Sequence, residues 1–104
     1  MANLGDLMKQ AQQLQNKLSR IQEEAGNKTV EASAGGNMVT ATVNGRLELL
    51  SLRIDPSVVE GGDIEMLQDL VIAAVNEGVR KAQKMMAEEM GKVAGGLKIP
   101  GLTP

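Results

Sequence analysis

The residues that could do chemistry in this chain are few, and what is missing rules out most familiar arrangements. There is no histidine and no cysteine among the 104 residues. That removes the commonest general base, the thiol nucleophile and the thiolate metal sites together. Serine without histidine forms no hydrolytic triad. Carboxylates do cluster, at Asp55, Glu60, Asp63, Glu65 and Asp69. An oxygen-ligand site for Mg²⁺ or Ca²⁺ is conceivable there, but helix caps and a solvated acidic face are the ordinary reading and the one adopted. Gly35-Gly36 and Gly61-Gly62 lack the Lys-Ser/Thr that follows a phosphate-cradling loop, so they read as turns. No enzyme, cofactor or small-molecule substrate is expected.

What remains is binding through charge. Lys9, Lys17 and Arg20 form one group of bases, and Arg80, Lys81 and Lys84 a second. Both are candidates for contacting DNA phosphates. For the second group the spacing also allows plain intrahelical pairing, Glu77 with Lys81 and Lys84 with Glu88. The net charge of −2 argues against nucleic acid when taken alone, yet its distribution is uneven. Residues 55–77 hold six acids and no base, whereas residues 78–104 hold five bases against two acids. A DNA-binding reading therefore requires the acidic stretch to sit away from the bases, because like charge repels at short range. With no Phe, Tyr or Trp, stacking platforms for single strands or RNA are excluded.

These residues must be positioned by a small set of elements. Leu4, Leu7, Ala11, Leu14, Leu18, Ile21 and Ala25 recur at alternating intervals of three and four, which predicts a helix over 4–25 with a heptad seam. Asn3 is its expected cap, and Gly26-Asn27 its left-handed stop. Strands are predicted at about 28–34, 38–43 and 46–54 as an antiparallel meander. Asn44-Gly45 reads as a two-residue type I′ turn, pairing Val43 with Arg46, Ala41 with Glu48 and Val39 with Leu50. That register puts Val39, Ala41, Val43, Leu50, Leu52 and Ile54 on one face. Met38, Thr40, Thr42, Leu47 and Leu49 fall on the other. The second face is partly apolar, so it needs a cover, and a copy of the same chain is the expected one; Met38, Thr40, Leu47 and Leu49 are the candidate dimer contacts. A short helical turn follows Asp55-Pro56. A long helix starts at Asp63 with a broad apolar face to Met86, and Gly91, Gly95 and Gly96 are expected to fray it. The fold class is α+β, with residues 1–94 as one domain and 95–104 as a flexible tail.

The strings NLGDLMKQAQQLQNKLSRIQEE, VNG, RIDPSVV, EMLQDLVIAAVNEG and GGLKIPG together resemble the YbaB/EbfC family of bacterial nucleoid-associated proteins, in order and over nearly the whole chain. The resemblance implies a tweezer-like α+β homodimer with helices projecting from a shared sheet region. It implies a cytoplasmic, nucleoid-located protein that binds double-stranded DNA, alters its conformation and acts on nucleoid organisation and gene expression. No residue motif for the DNA grip carries over, so the six bases remain electrostatic candidates. Without a basic groove-reading helix, weak sequence preference is expected. The alternative is a dimeric structural adaptor whose heptad arm docks a protein partner. The opening MANLGDLMKQ does not read as a signal peptide, and no apolar run approaches the ~20 residues of a membrane span.

Overall fold

Asn3 opens the first helix, its side-chain oxygen accepting from the Asp6 backbone N–H at 2.8 Å. In a computed structural model that describes residues 3–96, the element order is α1 (Leu4–Gly26), β1 (Thr29–Ala34), β2 (Val39–Asn44), β3 (Leu49–Ile54), α2 (Pro56–Glu60) and α3 (Ile64–Gly96). The three strands form one antiparallel sheet in the order β1-β2-β3. The α+β architecture is as expected, with a long helix on either side of a three-stranded meander. Helix α3 runs unbroken through Gly91 to Gly96, and the expected tail beyond it lies outside the described residues. Helix α1 stops differently from expectation: Asn27 closes it with right-handed backbone, φ −85°.

The β2–β3 turn departs from the expected type I′ geometry. Neither Asn44 nor Gly45 has positive φ; Leu47 does, at 64°. The Leu47 N–H donates to the Asn44 carbonyl and the Asn44 N–H to the Glu48 carbonyl, both at 3.0 Å. That is a three-residue loop whose last residue takes the left-handed conformation. Asn44 is buried and works through its side chain. Its Oδ1 accepts from the Arg46 and Glu48 backbone N–H groups at 2.9 and 3.0 Å, and its amide donates to the Glu48 carboxylate at 2.8 Å. Beyond the loop the ladder slips at Thr42/Val43, so Val43 pairs with Leu49, Ala41 with Leu52 and Val39 with Ile54.

That register corrects the expected pairings and one face assignment. Leu49 shares the face of Val43, and Leu47 belongs to the turn. The strands' face turned away from α3 is consequently more polar than the partly apolar one expected: Thr40 pairs with Arg53, Thr42 with Ser51, and the Ser33 and Thr40 hydroxyls share a hydrogen bond at 2.9 Å. Thr40 is buried, so it offers little surface to a partner.

Helix α3 lies across β1 and β2. Val39, Ala41 and Ala74 make the centre of the core, with Ala34, Ile54, Leu67, Leu70, Val71 and Val75 packed around them. Close approach depends on Gly78, where a Cβ would lie 2.8 Å from a Val43 methyl. Strand β3 extends past the cover of α3, leaving Leu49, Leu50 and Leu52 exposed by 46, 55 and 37 %. The sheet ends there in an apolar edge, a feature soluble monomers usually blunt.

Gly45 is where the helices join the sheet. Its N–H donates to both the Gly26 and Lys28 carbonyls, at 3.1 and 3.0 Å. An added Cβ would collide with the Ala25 carbonyl oxygen and lie 2.6 Å from the Met86 sulfur. Gly45→Ala is therefore expected to cost about 1–3 kcal/mol through overpacking against backbone. Gly91→Ala faces open space inside a helix and should stabilise by about 0.5–1 kcal/mol. Chemical denaturation of the two variants beside the parent measures both signs.

Candidate nucleic-acid interface

The distribution of charge along α3 defines the candidate interface. The amino-terminal half of α3 covers the sheet, with Asp55, Glu60, Asp63, Glu65 and Asp69 in α2, its flanks and the start of α3. Two of these carboxylates are caps. Asp55 accepts from the Ser57 N–H and hydroxyl at 2.9 and 2.8 Å, and Asp63 from the Met66 N–H at 3.0 Å. Hydrogen bonds from Ser57 hold the Asp55 carboxyl below its ordinary range. Among the described residues, no group of three or more acidic side chains is placed to hold a metal ion.

Beyond Met86, α3 leaves the sheet and packs on α1 instead. Lys28, just after α1, reaches Glu89 of α3 at 2.7 Å. A cavity of about 330 Å³ between the two helices is lined by Leu14, Ile21 and Val93 together with Lys17, Lys28 and Lys92 and the carboxylates Glu24 and Glu89. The two helices thus form one arm. From Asp69 to Lys84 the path along α3 is about 22 Å at 1.5 Å per residue, which separates the acidic end from Lys84 by about two Debye lengths. Within residues 3–28 and 87–96 five bases meet five acids, and Arg80, Lys81 and Lys84 stand just before them on α3.

The six candidate bases do not all stay free. Arg80 donates twice to Glu77, at 2.8 and 3.1 Å, and Lys81 donates to the Glu31 carbonyl of β1 at 3.1 Å. The pairs suggested by spacing, Glu77 with Lys81 and Lys84 with Glu88, are not formed. Lys9, Lys17, Arg20 and Lys84 make no ion pair among the described residues. Lys17 and Arg20 line one shallow hollow with Gln13 and Asn16, on the flank of α1. Lys9, Gln13, Asn16 and Arg20 follow one another at intervals of four, three and four, a polar stripe opposite the leucine seam. The α1 bases are therefore gathered, whereas those of α3 are partly consumed by the fold. Sequence reasoning missed Lys28 and Lys92. Lys28 lies in the link before β1 and Lys92 beyond the expected end of the core face, so only the packing of α1 on α3 brings them to the same cavity.

The seam itself is half used. Ala25 is buried, and Leu14, Leu18 and Ile21 are partly covered. Leu4, Leu7 and Met8 are exposed by 73, 51 and 65 %, because α1 overshoots the described end of α3.

Glu89 ties the arm together. Lys28 holds its carboxyl below the ordinary range; partial burial opposes this, and Lys92, at 3.4 Å, assists it. A depressed folded-state pKa contributes stability that is present above the unfolded value of about 4.3 and is lost as pH falls through the folded value. Glu89→Gln should thus lower the thermal midpoint at pH 7, and its deficit should shrink between pH 5 and pH 3; a deficit independent of pH would contradict the pairing.

A family model described as the YbaB/EbfC DNA-binding family matches residues 1–97. A protein of Syntrophobacter fumaroxidans named nucleoid-associated protein is 63 % identical over 91 % of this chain and 86 % of its own length. A nucleoid-associated protein of Thermoanaerobacter pseudethanolicus is 55 % identical over 96 % of this chain and 90 % of its own. The crystal structure of an uncharacterised protein, HP0035 of Helicobacter pylori, superposes with a TM-score of 0.74 at 23 % identity, covering 90 % of this chain and 99 % of that one. This last likeness concerns the fold.

Proposed function

Because the chain belongs to the YbaB/EbfC DNA-binding family, we propose that it binds double-stranded DNA as a homodimer, through arms built from α1 and the carboxy-terminal half of α3, and reshapes the duplex in the nucleoid. The observation that carries this reading is the segregation of charge, with Lys9, Lys17 and Arg20 gathered on α1 and five acids, Asp55, Glu60, Asp63, Glu65 and Asp69, at the other end. Phosphate contacts from Lys9, Lys17, Arg20 and Lys84 would position the arm without reading bases, hence weak sequence preference and sensitivity to duplex shape. Arg80 and Lys81 contribute less, being engaged with Glu77 and Glu31. None of the helices described is long and apolar enough to cross a membrane.

Two features support the dimer. The radius of gyration is 20.6 Å and the extents are 73 × 27 × 15 Å, against about 13 Å expected of a compact chain of this length. A row of apolar residues is left outside on β3, at Leu49, Leu50 and Leu52. A second copy seated along the β3 edge would cover them, with Met38 and Leu47 at its margin. The exposed Leu4, Leu7 and Met8 favour the second reading, an arm that docks a protein partner.

Duplex affinity should fall as salt rises, with a log–log slope of roughly −0.9 per phosphate contact. Replacing Lys9, Lys17 and Arg20 together by Ala should weaken binding and flatten that slope by up to about 3. A gel-shift series across salt measures both; unchanged affinity in the triple variant would favour the adaptor. Light scattering at micromolar concentration should return about twice the 11.0 kDa chain mass. Leu49→Asp with Leu52→Asp should halve that value or unfold the chain, whereas an unchanged mass would place the interface elsewhere.

A further inference from the structure

The cavity between α1 and α3 gathers three lysines, Lys17, Lys28 and Lys92, and two carboxylates, Glu24 and Glu89, beside the apolar Leu14, Ile21 and Val93. Lys17 also lines the neighbouring hollow with Arg20, Gln13 and Asn16, so the two depressions form one track of donors across the flank of α1. In the free protein, two of the three cavity lysines are occupied by one carboxylate. Glu89 accepts from Lys28 at 2.7 Å and from Lys92 at 3.4 Å through the same oxygen. Its side chain is only 18 % exposed, whereas those of Lys28 and Lys92 are 52 and 73 % exposed. The acid is thus held inside while both ammonium groups reach water.

We propose that this cavity is a phosphate-binding subsite of the arm, and that Glu89 is its internal competitor, holding Lys28 and Lys92 in place of a backbone phosphate until DNA arrives. The inference rests on the DNA-binding reading and deepens it. It names two contacts outside the original basic clusters and assigns a carboxylate the role of limiting affinity. An ammonium group has three donors, so Lys28 and Lys92 can turn outward to a phosphate while the cavity walls stay in place. Electrostatics set the sign. Removing the negative charge from Glu89 frees two lysines and raises the local potential, so the duplex should bind more tightly even though the arm loses an internal tie. A merely structural role predicts the reverse.

The experiment is a salt-resolved titration of a fluorescent DNA duplex with the full chain. Glu89→Gln should tighten binding by roughly two- to fivefold, the scale of one exposed charge pair. It should also steepen the salt slope by up to about 1.8, two further phosphate contacts. Lys92→Ala should weaken binding, and adding it to Glu89→Gln should abolish the gain. Circular dichroism of each variant checks that the arm still forms; if Glu89→Gln does not fold, Lys28→Ala with Lys92→Ala must weaken the parent's binding and lower its salt slope for the subsite to stand. Glu89→Gln binding no better than the parent, with helix content intact, overturns the subsite and leaves the DNA reading in place. A parent chain with no salt-dependent duplex affinity overturns both.

Discussion

The backbone N–H of Gly45, shared between the carbonyls of Gly26 and Lys28, is the contact on which the rest of the structure depends. It brings four elements to one point: the end of α1, the link into β1, the β2–β3 turn and Met86 of α3. Buried backbone groups must find partners, and here the turn satisfies the end of the helix directly. Ala25, Gly26, Asn44 and Gly45 are all buried around this point. Because the joint sits at one end of the sheet, everything before Ala25 and after Met86 leaves the sheet in the same direction. The arm follows from that placement.

The arm and the sheet obey different balances of forces. Over the sheet, small residues let α3 approach: Ala74, Gly78 and Ala82 are buried against Ala32, Ala41 and Val43. Beyond the sheet only the heptad seam of α1 is available, and it meets α3 over about half its length. The arm is held by a narrow apolar line and by the Lys28–Glu89 pair, so charge matters more to it than to the core. Two of the acids outside the arm, Asp55 and Asp63, serve as caps near the start of α2 and α3, and Glu89 on the arm is paired with Lys28. A chain with net charge −2 can therefore present a basic limb, and total charge is a poor guide to what such a molecule binds.

The existence and order of the elements were legible from residue spacing, as were the seam of α1, the Asn3 and Asp55 caps and the division of charge. The β2–β3 register was not. Asn44-Gly45 carries a strong hairpin signal, and a hairpin does form, but the reasons for those two residues differ from the ones that local turn chemistry offers. Asn44 is needed for its side-chain hydrogen bonds to Arg46 and Glu48, and Gly45 for the absence of a Cβ against Ala25. Likewise Lys81 looked like a helix-surface partner for Glu77, yet it reaches across to the Glu31 carbonyl.

Periodicity and composition, being local properties, sufficed to determine an α+β chain without the groups for hydrolytic or thiol chemistry, carrying two separated groups of bases and one block of acids. Which bases converge, which are consumed by the fold and which face of the sheet is polar were decided by tertiary packing. The physical reason is a single slip in the β2–β3 ladder together with the docking of α1 on α3. The docking is set by contacts between residues far apart in the chain, such as Lys28 and Glu89, and the slip by side-chain bonds of Asn44 within the turn, neither of which hydrophobic spacing records.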